Sequence, residues 1–165
     1  MRVLLYFIAS LISFCLIVSI FNWLIYSIIK NRPHDRKDWD LNICAEKRDG
    51  GGINADITIH NDLKNFLLID DIYDLPFQSN SFQNILCYHT LQKVQEPHLL
   101  HKELTRIGKN VLYVVPSACE ISDSLNIFRN KRTFLVLKRE HNKLPCSIKL
   151  PLADTIHHLT GHKFQ

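Results

Sequence analysis

Apolar positions along the chain fall into two unlike regimes. From Val3 to Ile29 no charged side chain interrupts a run dominated by Leu, Ile, Phe and Val. About 20 apolar residues suffice to cross a bilayer as a helix, so this run is long enough to span with some tilt. Trp23 and Tyr26 lie near its end, where aromatic rings favour the membrane interface. A cleaved signal peptide would need a shorter apolar core and a small-x-small site, and Ser27-Ile28-Ile29-Lys30 is a poor one. The pattern therefore predicts an uncleaved transmembrane helix within residues 1–30. A polar linker of alternating charge, residues 31–40, separates it from a domain over residues 41–165, about 125 residues and close to the usual size of a single domain.

Beyond the linker the apolar runs shorten to strand length. Leu41–Ala45, Asn54–Ile59, Asn65–Ile69, Ile85–His89 and Val111–Val115 are bounded by turn residues and read as strands. Pro97–Ile107 differs, because its apolar residues at 99, 100, 104 and 107 share one helical face. Pro97 suits a first helical turn and Gly108 a helix end. Strand, helix and strand in succession predict a right-handed parallel crossover. The earlier connections are short: eight residues between the first two strands and five between the next two. Parallel neighbours normally need a dozen or more, so either that side of the sheet is irregular or its helices are lost. After Pro116, residues 120–129 read as a helix with Leu125 and Phe128 inward, and Phe134–Leu137 as a sixth strand or buried helical turn. Pro145, Pro151 and a short His-rich helix follow.

The stretch Asp70–Val94, DDIYDLPFQSNSFQNILCYHTLQKV, carries the densest pattern. It resembles the class I S-adenosylmethionine-dependent methyltransferases of the small-molecule (type 11-like) kind, whose pattern reads D-x-x-x-LPF-x-x-x-SFD-x-(apolar)-x-x-x-H-x-LEH. Asp71, Leu75-Pro76-Phe77, Ser81-Phe82, His89 and Leu91 match. Gln83 replaces the family's Asp, and Gln92-Lys93 its Glu-His. The resemblance runs from about Leu41 to Pro116. It implies an α/β fold: a reduced Rossmann-like, mostly parallel sheet with flanking helices, here preceded by one N-terminal transmembrane helix. In open sheets of that kind ligands bind beyond the carboxyl ends of the strands, which puts Asp70, Asp71 and His89 on a crevice rim.

S-adenosylmethionine is the cofactor the resemblance implies. Ala45 and Glu46 stand where the family's first glycines fall, and the glycines here come late, at Gly50-Gly51-Gly52. Ala45 and Gly51 are thus candidates for a rebuilt loop at the methionine end, the alternative being a flexible turn. Asp56 corresponds to the carboxylate that meets both ribose hydroxyls, and Asp71 to the one that meets the adenine amino group, with Ile72 packing on the ring. The bland alternatives are a solvated strand-end Asp and an Asx turn. His89 follows the fourth strand, where a histidine serves as a general base or simply hydrogen-bonds the next loop. The resemblance implies a small-molecule or lipid-like methyl acceptor. Its departures equally fit a catalytically inactive methyltransferase fold that acts as a binding or scaffolding domain on the membrane.

Composition adds limits rather than a new reading. With 46% hydrophobic and 22% charged residues the chain is not of disordered type, and a formal charge of +4 without a dense basic run gives no reason to expect nucleic acid. Lys30, Arg32, Arg36 and Lys37 outnumber Arg2 across the apolar run, which predicts a single-pass protein with its C-terminal domain in the cytoplasm. Cysteines 15, 44, 87, 119 and 146 show no C-x-x-C or disulfide-style spacing and read as small buried residues. His98/His101 and His158/His162 have helical spacings that can bring two ligands to one face, but no Cys or acidic partner is fixed nearby, so no metal is expected. Neither a Ser/His/Asp set nor a G-x-x-x-x-G-K loop occurs. Nothing in the pattern bears on oligomeric state.

Overall fold

The computed structural model describes residues 2–25, 38–45, 49–116, 126, 128, 130–134 and 140–160. In chain order the elements are α1 (Arg2–Ile25), β1 (Trp39–Ile43), β2 (Gly51–Asp56), β3 (Phe66–Leu68), β4 (Phe82–Tyr88), α2 (Pro97–Ile107), β5 (Gly108–Val114), β6 (Arg132–Phe134), β7 (Glu140–His141), β8 (Ser147–Lys149) and α3 (Ala153–Thr160). Most of the linker (31–37), Leu125, residues 135–137 of the expected sixth strand, Cys119 and His162 lie outside the described residues. Phe128, expected to face inward, is 62% exposed.

Six strands form one sheet in the order β3-β2-β1-β4-β5-β7. β1 pairs in parallel with both β2 and β4, β2 with β3, and β4 with β5, while β7 runs antiparallel to β5. β6 and β8 make a separate antiparallel ladder. From β1 the chain builds outward on one side through β2 and β3, then crosses over to build the other side from β4. The β1/β4 boundary is therefore the topological switch point of a Rossmann-like α/β sheet, the fold class expected. Strands β2, β4 and β5 begin three residues before their apolar runs, because ladder bonds use the backbone and accept Gly51, Gln83 or Lys109 at an exposed start.

The short early connections do not spoil the parallel sheet. Residues 44–50 must climb back along the five residues of β1. Seven extended residues reach roughly 23–25 Å, against about 17 Å of strand. The described end of this connection is bonded onto the sheet. Asn54 Oδ1 accepts from Asn42 Nδ2 (3.0 Å) and from the Gly50 N–H (2.9 Å). Asn54 Nδ2 donates to Asp49 Oδ1 (3.0 Å) and to the Lys64 carbonyl (2.9 Å). Both asparagines are fully buried. A polar ladder thus covers this face of β1 and β2, and every hydrogen bond in it offsets desolvation of a buried amide. Gly51 adopts φ 102°, the left-handed region. At Gly52 a Cβ would collide with the carbonyl oxygens of Trp39 and Asp40.

The other side is held by apolar packing. α2 buries Pro97, Leu100, Glu103, Leu104 and Ile107, and its apolar side chains join Leu41, Ile43, Ile85, Cys87, Val111 and Tyr113 in one core. Each fully buried Leu or Ile contributes about 1.5–3 kcal/mol. One expectation needs correction: Leu99 is 42% exposed, and the charged Glu103 is buried on the inner face. Leu86, Tyr88, Leu112 and Val114 form a second cluster on the opposite face, with Trp39 against it.

α1 is a 24-residue helix, and nearly all of its described side chains are exposed, among them Phe7, Ile12, Ile17 and Trp23. Among the described residues no helix is long and apolar enough to cross a membrane. The structure supplies the expected helix without establishing the crossing.

Candidate functional site

Parallel strands put all their carboxyl ends on one edge, and most of the expected residues gather there. Ala45 follows β1, Asp56 ends β2, Asp70 and Asp71 follow β3, and His89 follows β4. Ladder pairs Ile43↔Ala55, Ile43↔Cys87 and Asp56↔Leu68 bring these ends level across the switch point. Gly51 is the exception and a correction. It pairs with Trp39 at the amino ends of β1 and β2, the opposite edge of the sheet. The late glycines turn the chain into β2 and pack against β1; they form no cradle beside Ala45. Glu46, Lys47 and Arg48 lie outside the described residues.

Asp56 is 5% exposed. Its Oδ1 accepts from the Thr58 N–H (3.1 Å), and its Oδ2 lies 3.2 Å from His60 Nε2. The His60 ring meets Phe66 of β3 edge-on, with centroids 5.9 Å apart. Asp71 is exposed and closes an Asx turn by accepting from the Tyr73 N–H (2.7 Å). Ile72 is 2% exposed and belongs to the core.

The Leu75-Pro76-Phe77 turn is clamped from α2 by residues the sequence reading missed. Glu103 Oε1 accepts from the Leu75 N–H (2.8 Å). Arg106 Nη1 donates to the Phe77 carbonyl (2.9 Å), its Nη2 to the Leu75 carbonyl (3.2 Å), and its Nε to Glu103 Oε2 (2.8 Å). The only sequence signal was an acid and a base three apart on the helix, a spacing common on solvated faces. The bond from Arg106 outweighs burial and holds the Glu103 carboxyl below its ordinary range. Phe77 packs edge-on against Phe82, fixing the turn to the start of β4.

His89 has φ 51°, donates its N–H to the Val114 carbonyl (2.8 Å), and stacks its ring on Tyr88 with centroids 4.3 Å apart. Beside it Thr90 is buried and donates to the Tyr88 carbonyl (3.1 Å). Burial pushes the Cys87 thiol up to about 12 and raises Cys44 as well, which disfavours the thiolate at both. Gln92, in place of the family's Glu, accepts from the Lys131 N–H (2.7 Å) through its carbonyl and anchors the start of β6. The backbone N–H groups of Gln83 and Asn84 are held by Asp40 Oδ2 (2.8 and 2.9 Å). His101 is committed elsewhere, with Nδ1 2.6 Å from the Tyr113 hydroxyl. Among the described residues no group of three or more His, Cys, Asp or Glu is arranged to hold a metal.

A parallel sheet with a β1/β4 switch point defines a Rossmann-like α/β class of domain, and here carboxylates lie on its carboxyl edge. Within that class, residues 54–112 match the family profile described as a methyltransferase domain, from inside β2 to inside β5. This segment is of the class I S-adenosylmethionine-dependent methyltransferase type, and domains of that class generally use S-adenosylmethionine. No curated protein matches the chain. Among solved structures, a complex of the Haloferax volcanii Trm112 methyltransferase activator with a protein described as a methyltransferase is 18% identical, at a TM-score of 0.41. The likeness covers 52% of this chain and 50% of that one, so the chain matches about half of that relative's length. A likeness at that score carries no weight for fold or function.

Proposed function

We propose that the chain is a membrane-anchored domain of methyltransferase type that binds S-adenosylmethionine on the carboxyl edge of β1, β2 and β3. The observation that carries this reading is Asp56: a carboxylate ending β2, beside the switch point, inside the segment that matches the family. Asp56 would meet the ribose hydroxyls and Asp71 the adenine amino group, with Ala45 lining the turn after β1. When bound, the cofactor supplies an electrophilic methyl group, and transfer to a small or lipid-like acceptor needs chiefly alignment. His89, locked by its bond to Val114 and its stacking on Tyr88, serves as a positioning group rather than a base. α1, with its exposed Leu, Ile and Phe side chains, is the anchor, and the domain faces the cytoplasm. Anchoring raises the effective concentration of a membrane substrate.

A second reading is favoured by one observation. The glycines sit on the wrong edge to cradle a methionine carboxylate, so the fold fits the nucleoside end of the cofactor better than its methionine end. On that reading the domain is a non-catalytic binding or scaffolding module.

Calorimetric titration of S-adenosylmethionine and S-adenosylhomocysteine into the full chain in detergent micelles tests both. Micromolar binding that Asp56→Ala weakens by about 1–3 kcal/mol supports the site. Equal affinity for adenosine alone favours the nucleoside-only module, and no heat from folded protein rejects the site. Alkaline extraction and protease protection of the full chain in vesicles test the anchor; release at high pH rejects it.

A further inference from the structure

We propose that His60 is an intramolecular competitor for the Asp56 carboxylate, so that the end of β2 accepts a vicinal diol only after the imidazole turns away. This rests on the cofactor site proposed above and names a residue that sets its affinity. A diol recognised by one carboxylate donates two hydrogen bonds to it. Here both oxygens are already engaged inside one short turn, Oδ1 by the Thr58 N–H and Oδ2 by His60 Nε2. The side chains are 7% and 17% exposed, so the ring covers the carboxylate where a ligand would approach.

Among the described contacts the ring is held by Asp56 and by one edge-on meeting with Phe66, itself half-buried on the outermost strand β3. Its chain neighbours Ile59, Asn61 and Asp62 are exposed, so this turn lies at the surface. Thr58 donates from the backbone and does not have to leave. The competent state requires the ring to leave the carboxylate, and the fraction of time spent covered lowers the apparent affinity by the same fraction.

The test uses the full chain in micelles with S-adenosylhomocysteine as probe. His60→Ala, checked for an unchanged unfolding transition, should bind roughly threefold to tenfold more tightly than wild type, the size expected when one competing hydrogen bond is removed. Phe66→Leu, which loosens the seat and leaves the imidazole, should shift affinity less and in the same direction. In the wild-type chain the His60 ring ¹H–¹⁵N signals should move on titration with the Kd read by heat. Tighter binding by His60→Ala, including binding seen only in that variant, supports the competitor. Equal or weaker binding, or heat without movement of the His60 signals, overturns it while leaving the site standing. No heat from wild type or either variant removes the site and the competitor together.

Discussion

The two flanks of β1 are built by different means. Towards β4 and β5 the chain follows the crossover pattern, with α2 laid over Ile85, Cys87, Val111 and Tyr113 in a dry core. Towards β2 and β3 the connections are too short for that plan, and the buried Asn42–Asn54 ladder ties Asp49, Gly50 and Lys64 to the sheet. One flank gains stability from area removed from water, the other from directional bonds whose loss leaves buried groups unpaired. The apolar flank should tolerate changes that keep volume better than the polar ladder tolerates the loss of a partner. The carboxylate proposed to bind cofactor ends the polar flank, so the site inherits the fragility of that ladder.

Substitutions on each flank break or sharpen this contrast. Leu104→Ala opens a cavity under α2 and should cost about 2–5 kcal/mol in urea unfolding. A cost below about 1 kcal/mol would mean that the apolar flank is loosely packed. Asn54→Ala removes partners from Gly50, Lys64 and Asn42 at once, and should cost about 2–3 kcal/mol, with faster amide exchange in β2 than in β4 or β5. Uniform acceleration across the sheet would show the two flanks to be one cooperative unit and dissolve the distinction.

Glu103 gives a smaller and pH-marked effect. Its folded carboxyl lies below its ordinary range, so its contribution is complete above the unfolded value of about 4.3 and is lost as pH falls through the lowered folded value. Glu103→Gln should therefore be less stable than wild type at pH 7, by about 1–2 kcal/mol, and converge with it once pH falls below the lowered folded value. Parallel stability curves through that range would contradict the clamp on Leu75. The smallest effect belongs to Gln83→Asp, which restores the family's residue. Its side chain is exposed and Asp40 already holds the local N–H groups, so stability should change by no more than about 0.5 kcal/mol.

Legibility differed in the same way between the flanks. α2 was readable to the residue, since Pro97 and Gly108 punctuate a clear helical period. Its inner face was not, because an exposed Leu99 and a buried Glu103 follow from what the Leu75-Pro76-Phe77 turn offers across space. The carboxyl-edge placement of Ala45, Asp56, Asp71 and His89 followed from strand order alone. Gly51 was placed on the wrong edge, since the glycine run serves the start of β2, and the burial of Ile72 was not legible.

By itself the sequence determined the apolar helix of α1, the five strands β1–β5 and α2, because hydrophobic period, turn residues and chain punctuation are local properties. Only the tertiary structure decided which edge each loop serves, that Asn54 knits the polar flank, that Glu103 and Arg106 clamp the motif turn, and that His60 rests on Asp56. Most of those contacts join residues far apart in the chain, the short-range ones have spacings common on solvated faces, and burial gives each its energetic weight.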